Sequence, residues 1–285
     1  MNSAAVIIPA CKNPVHLSVV LYGYTRQTDP DFTIHVVNDG GMDELQGVVE
    51  SYQDRLAIHY HYLEPKTEIF RAAAARNVGI RNTTADRLIF MDSDIVPYPN
   101  LIALHKSYGQ KRIIVLGVRK HVNQGGSQYI EEHVDEFFRQ AEEAPDAYCD
   151  FLERYTWRDD DRYQYENDLS FKVARHQKFM RANRPGVQIP GICFTHNMSV
   201  PTKETKRIGG FWEEFVGYGA EDEDLAARLC KLGCTTYADA RIAGYHLWHE
   251  FHSTTTNPES LQKNRNRLRE SKDMHSPIRN GGPIL

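Results

Sequence analysis

The chain has 285 residues, 41% of them hydrophobic, enough to bury a substantial core in one large domain or in a domain with a subdomain. A formal net charge of −4 excludes a surface built to neutralise a phosphate backbone, so nucleic acid is not an expected partner. Five cysteines, Cys11, Cys149, Cys193, Cys230 and Cys234, form no C-x-x-C pair, and their odd number points to a reducing compartment rather than a disulfide framework.

The first apolar run stops at Pro9, too short for a signal-peptide core, and no later stretch reaches the roughly 20 apolar residues of a membrane helix. No transmembrane segment is expected. The location expected is cytoplasmic, with any membrane-linked acceptor met from the cytoplasmic surface as a peripheral protein.

Residues 6–9 (VIIP) and 34–38 (IHVVN) are β-branched runs closed by turn formers, and the patterned stretch between them reads as a helix. Residues 56–62 alternate as a strand, residues 69–81 are Ala-rich and helical, and residues 87–91 (RLIFM) form a run typical of a buried parallel strand. The result is a βαβαβ array of nucleotide-binding type, in which ligands sit at the carboxyl ends of the strands. Pro9, Asp39 and Asp92 fall at those ends.

Residues 120–186 are rich in charges and aromatics and read as helices and a loop, either a mobile cover over the site or a solvated helical insertion. Strand character returns over 191–200. A glycine-flanked turn at 217–219 then leads into a helix over 221–232 (EDEDLAARLCKL), acidic at its start and basic at its end. The segment from 257 is polar, basic and punctuated by Gly and Pro, and is expected to be a loosely ordered tail. This gives a βαβ half over 1–119, an insertion over 120–186, a catalytic half over 187–256 and a tail over 257–285.

Three constellations carry chemistry. Asp92-Ser93-Asp94 follows directly on RLIFM, and strand alternation would send both carboxylates to one side as hard oxygen ligands for Mg²⁺ or Mn²⁺. A polar strand exit before Pro97 is the plainer reading. Gly217-Tyr218-Gly219-Ala220-Glu221-Asp222-Glu223-Asp224 places four acids on one helix start, more than capping requires, and mutual repulsion can tune one of them into a general base. In the stretch 244–252 (GYHLWHEFH), His246, His249 and His252 recur at i, i+3 and i+6; they make either a metal-binding helix face or separate structural histidines.

Together these residues resemble the A-type (GT-A) nucleotide-sugar glycosyltransferases, in particular inverting members of glycosyltransferase family two and the donor domains of chondroitin-type polymerases and β-1,4-galactosyltransferases. The matching segments, in order, are VIIPACKN, VVNDGG, AAAARNVGI, IFMDSDIVPYPNLI, IGGFWEEFVGYGAEDEDLAARLCKLG and AGYHLWHE; the middle insertion is unmatched. The resemblance implies an α/β GT-A fold, a mixed and mainly parallel sheet flanked by helices, with a helical insertion and a polar C-terminal tail. It implies a hexosyltransferase dependent on Mn²⁺ or Mg²⁺, moving a sugar from a nucleotide diphosphate donor, a UDP-sugar, to an acceptor hydroxyl. That acceptor is left open among a glycan, a lipid-linked sugar, a peptide and a small metabolite.

By the same resemblance Pro9 and Cys11 lie beside the nucleobase and Asp39 accepts a hydrogen bond from it. The family's D-D-G-S reads here Asn38-Asp39-Gly40-Gly41, which keeps the second acid and leaves the first contact open. Arg71 and Arg76 face the diphosphate or brace the Asp92-Ser93-Asp94 loop. Asp94 binds the metal, Asp92 the ribose or the metal, and His246 matches the family's metal-binding His better than His249 or His252. Asp222 looks like the catalytic base of an inverting displacement, and Glu221 positions the acceptor. Trp212 is a sugar-stacking platform or a core Trp; Asn197 and His196 touch the donor sugar or lie hydrogen-bonded in the core.

Two other classes fit less well. A nucleotidyltransferase would want a Gly-rich phosphate loop after the first strand, where PACKNPVHLS has no glycine. An inactive nucleotide-sugar-binding homologue would have lost a key acid, yet Asp39, Asp92, Asp94, Asp222 and His246 are all present.

Overall fold

The computed structural model describes residues 3–65, 69–109, 111–143, 186–250 and 258–285. Strand β1 (Ala4–Ala10) is buried along its whole length, flanked in parallel by β2 (Thr33–Asn38) and β4 (Arg87–Met91), with β3 (Ile58–Tyr62) outside β2. Helices α1 (Pro14–Thr25), α2 (Glu44–Glu50) and α3 (Ala72–Arg81) make the crossovers. Alternation along β1 divides the core: Val6 and Ile8 pack with Leu17 and Val20 of α1, whereas Ile7 packs with Ala73 and Ile80 of α3. A Cβ at Gly79 would lie 2.7 Å from Ile7, so α3 reaches the sheet only because that residue is glycine.

The second half adds β5 (Ile95–Pro97), α4 (Leu101–Lys106), β6 (Ile113–His121), α5 (Gln124–Glu132) and α6 (Val134–Glu143). After a 3₁₀ turn at Pro190–Ile192 come β7 (Asn197–Pro201), α7 (Thr202–Arg207), α8 (Glu221–Lys231), β8 (Thr235–His246) and α9 (Pro258–Asp273). All strands join one sheet in the order β3-β2-β1-β4-β7-β6-β8-β5. β7 runs antiparallel to β4 and β6, and β5 antiparallel to β8, while β6 and β8 are parallel. The mixed, mainly parallel sheet is the expected one.

β7 is locked in place by polar groups inside the core. The fully buried Arg87 donates from Nε to Ser199 Oγ (2.7 Å) and from its terminal nitrogens to the carbonyls of Gly109 (3.1 Å), Ile113 (2.7 Å) and Ser199 (3.2 Å). Burial without a carboxylate partner pulls its guanidinium down to about 9.

Two expectations are corrected. The boundary at 119/120 falls inside β6, which continues to His121. The segment after 257 contains the 16-residue helix α9. Its buried face is Asn264, Leu268 and Ser271, at i, i+4 and i+7, so the helical period is carried mostly by polar residues and escapes a hydrophobic pattern. Lys231 Nζ donates to the carbonyls of Lys272 and Met274, both at 2.8 Å, closing the end of α9. No helix among the described residues is long and apolar enough to cross a membrane.

Candidate functional site

The carboxyl ends of β1 and β2 meet where Asp39 N–H donates to Ala10 O (2.9 Å). Asn38 holds the following loop: its Oδ1 accepts from Gly41 N–H (2.7 Å), and its Nδ2 donates to Met42 O (3.1 Å) and Tyr60 OH (2.9 Å). The amide that replaces the family's first acid therefore has loop-closing work here. A Cβ on Gly41 would sit 1.9 Å from Cys11 O, so glycine is required for that closure. Asp39 is buried and engaged by Arg71: Oδ2 accepts from the Arg71 N–H (2.5 Å), and Oδ1 from Nε (3.0 Å) and Nη2 (2.5 Å). Pro9 is buried in β1, and burial followed by the charge of Asp39 pushes the Cys11 thiol up.

Asp92-Ser93-Asp94 is a turn between β4 and β5, with each residue half-buried, rather than a prolonged strand. The two carboxylates consequently take different partners. Asp92 Oδ1 lies 3.4 Å from Arg76 Nη2, whereas Asp94 Oδ2 lies 3.6 Å from His246 Nε2 and 3.2 Å from His249 Nε2. Pairing of Ile95 with His246, together with the bond from Leu247 N–H to Asp94 O (2.9 Å), sets the end of β8 opposite the turn. Ser127 Oγ at the start of α5 accepts from Trp248 N–H (2.6 Å) and fixes the coil that brings His249 back. The i, i+3 spacing thus reflects a strand end and a bend, not a helix face. His252 lies outside the described residues.

Asp94, His246 and His249 form a group whose ligand atoms lie within 4.8 Å of one another; Asp92 is not in it. The residues fit a divalent cation: Asp94 Oδ1 and His246 Nδ1 are buried with no hydrogen-bond partner among the described residues. Burial opposes ionisation of Asp94, and the imidazoles of His246 and His249 overcome it, holding the carboxyl well below its ordinary range. Burial lowers His246 to about 4, keeping the imidazole neutral, as a ligand must be. By contrast burial pushes Asp92 up to about 6.

The acid turn is built from Gly217 (φ 77°), Gly219 (φ 89°) and Ala220 (φ 74°), the last a non-glycine residue in left-handed conformation just before α8. Of its four acids, Asp224 is buried and paired with Arg228 (2.7 Å), and Glu223 reaches Lys272 (2.7 Å). Glu221 and Asp222 instead face Arg76, whose Nη1 is 3.1 Å from Glu221 Oε1 and 3.5 Å from Asp222 Oδ1. Burial, then the charge of Asp222, pushes Glu221 up to about 8 against the pull of Arg76. Asp222 also accepts from Thr195 N–H (3.1 Å) and Thr195 Oγ1 (2.7 Å).

Arg76 thus joins Asp92 to Glu221 and Asp222, so it is the arginine that braces the acidic loop, while Arg71 closes on Asp39. Asn197 is a fully buried core residue: its amide meets His105 Nε2 (3.1 Å) and donates to Val118 O (3.0 Å) and Ile242 O (3.2 Å). The Trp212 ring packs with Phe215, with Arg279 Cζ 5.0 Å and Arg267 Cζ 5.8 Å from its centre, and so belongs to the seat of the C-terminal segment. Two residues absent from the motif reading, Thr195 and Arg119, and one given no role in it, Tyr218, enter the site. Arg119, on β6 opposite Gly244, has a buried Nε without a partner among the described residues and acts electrostatically on Asp92, Tyr218 and His246. Tyr218 is 52% exposed at the tip of the acid turn. An exposed aromatic between two glycines was the available signal for Tyr218; nothing in the local sequence marks the other two.

The profile of "Glycosyl transferase family 2" matches residues 5–198. The chain belongs to glycosyl transferase family 2. A second profile, "N-terminal domain of galactosyltransferase", matches residues 177–250, the stretch carrying the acid turn, His246 and His249. Validoxylamine A glucosyltransferase of Streptomyces hygroscopicus subsp. jinggangensis is 28% identical over 276 residues, covering 93% of this chain and 60% of that protein. Hyaluronan synthase of Pasteurella multocida is 24% identical, over 85% of this chain and 24% of its own. The chain therefore spans less than two thirds of these relatives. Among solved structures, S. aureus TarS 1-349 in complex with UDP superposes with a TM-score of 0.63 at 17% identity, over 95% of this chain and 65% of that one. The mannosyltransferase PcManGT of Pyrobaculum calidifontis, in complex with GDP-Man and Mn²⁺, gives 0.56 at 14% identity, over 94% and 62%. Family and superposition agree on the GT-A fold.

Proposed function

We propose that this family 2 chain transfers a sugar from a UDP-sugar to an acceptor hydroxyl with inversion at the anomeric carbon. The observation that carries the reading is that one guanidinium ties an acid pair to the turn that supplies the carboxylate of the metal-fit group. Arg76 bridges the turn containing Asp94 to Glu221 and Asp222. The TarS complexes with UDP and with UDP-GlcNAc support uridine, and the PcManGT complex supports Mn²⁺.

Asp94, His246 and His249 would hold a divalent ion, whose chemistry is to neutralise charge on the departing diphosphate. The mixed oxygen and nitrogen donors suit Mn²⁺ better than Mg²⁺, which prefers oxygen. Pro9, Cys11 and Asp39 flank the nucleobase, and Asp92 and Ser93 lie toward the ribose. Arg119 supplies a second cation for the diphosphate. Asp222, oriented by Thr195, accepts the proton of the acceptor hydroxyl. Glu221, carrying its proton at neutral pH, donates toward the acceptor and keeps a second negative charge away from the base. Tyr218 offers an exposed ring face to a sugar.

The test is calorimetric titration with UDP, GDP and CDP, each with Mn²⁺ and with EDTA, on the wild-type chain and on Asp94→Ala. UDP binding that requires Mn²⁺ and disappears in the variant is expected. Absence of nucleotide binding under every condition would overturn the proposal.

A further inference from the structure

The acid turn is not held by its own helix. Ser260 Oγ lies 3.0 Å and Leu261 Cδ1 2.9 Å from the positions where a Cβ would stand on Gly217 and Gly219, so the first turn of α9 presses on the turn's backbone. One turn further along, Asn264 is 1% exposed, and its Nδ2 donates to both Val216 O (3.1 Å) and Tyr218 O (3.2 Å). Two acceptors fix which end of the amide faces the turn, because only the nitrogen can donate to carbonyls. The other end, Oδ1, is buried without a partner among the described residues. An unmet acceptor is costly in a core, yet an apolar side chain here would leave Val216 O and Tyr218 O without this donor. The amide instead fixes two carbonyls that flank the left-handed Gly217, two and three residues before left-handed Gly219 and Ala220.

From this geometry we infer that Asn264 is a positioning residue for glycosyl transfer: it holds the backbone of the acid turn so that Tyr218, Glu221 and Asp222 meet the acceptor. The inference rests on the proposed function for its chemical consequence and on α9 alone for its structural one. The surrounding contacts carry the same load. Asp224 of α8 accepts from Ser271 Oγ of α9, and Arg279 Nη2 donates to that same hydroxyl (2.7 Å). The nucleotide end of the site, built on β1, β2 and β4, receives no bond from Asn264.

The experiment compares the wild-type chain with Asn264→Leu, similar in volume but lacking the donor, with Asn264→Ala, and with Asn264→Gln, which keeps an amide. Hydrogen exchange by mass spectrometry reads the backbone over 214–223; titration with UDP and Mn²⁺ reads the nucleotide end. Release of UDP from UDP-glucose and UDP-N-acetylglucosamine reads turnover. In the Leu and Ala variants, exchange over 214–223 is expected to speed up by about tenfold and exchange over 4–10 and 87–91 to stay unchanged. UDP affinity should hold within about twofold, and kcat for UDP release should fall by about tenfold at constant KM, with partial recovery in the Gln variant. Unchanged exchange over 214–223 would overturn the inference, as would faster exchange spread over the whole chain or equal losses of UDP affinity and kcat. A wild-type chain that binds no UDP with Mn²⁺ would refute the proposed function, while the exchange result would still decide whether Asn264 holds the turn.

Discussion

Arg71, which caps the start of α3, and Arg76, in its middle, lie five positions apart, and they solve opposite problems. Arg71 meets one carboxylate with three donors, and the pair with Asp39 is closed: both side chains are buried and both acid oxygens are taken. Arg76 is spread over Asp92, Glu221 and Asp222 and saturates none of them. The first arrangement is a finished piece of architecture between the end of β2 and the start of α3. The second leaves a deficit of positive charge, with Asp92 and Glu221 both pushed toward protonation by burial. Polar groups at one end are complete within the protein, and those at the other are left with charge that the protein does not balance.

Removing the proposed base should break this contrast most strongly. Asp222→Asn keeps the Thr195 contacts but cannot take a proton, so transfer should slow by about 10²–10⁴-fold with UDP affinity unchanged, as read by steady-state kinetics beside calorimetry. Full activity in that variant would remove Asp222 from the role. Next comes the closed pair. Arg71→Met leaves Asp39 buried without its guanidinium, with only the backbone N–H of residue 71 still donating to it, at a cost of about 3–5 kcal/mol in urea unfolding, and adding Asp39→Asn should recover most of it. Equal losses in the single and double variants would mean the pair is not closed on itself.

The smallest effect sharpens the open end. Glu221 keeps its proton in the folded chain to about 8 but has an ordinary value of 4.5. Across that window the unfolded chain releases a proton that the folded chain holds, so stability falls as pH rises. Glu221→Gln has no such loss. Its melting temperature should equal that of the wild type near pH 4.5 and exceed it by a few degrees near pH 8.5. Parallel curves across that range would show that Glu221 is ionised throughout.

How much of this was legible in the sequence depended on which atoms carried the pattern. β1, β2 and β4 announce themselves because strands buried on both faces are unbroken apolar runs. Asp94 and His246 were legible as motif residues, but the partnership of His249 was not. Its spacing suggests a helix, and only the pairing of β5 with β8 shows a strand end followed by a bend. Thr195, Arg119 and Asn264 were illegible for one shared reason: each acts through a partner distant in sequence and none sits in a local pattern. Helix α9 was lost because an Asn and a Ser occupy two of its three buried positions.

Arg87 has a meaning in time as well as in space. β4 pairs with β7 from Arg87↔Pro201 to Met91↔Asn197, so more than a hundred residues must emerge from the ribosome before that edge is covered. Until then β4 is an open, strongly apolar edge, the kind of surface that recruits strands from other chains. A guanidinium at its first position makes wrong partners costly, because only the true neighbour brings Ser199 Oγ and O to accept its protons. The residue that completes the sheet is thus also the one that keeps it from being completed too early.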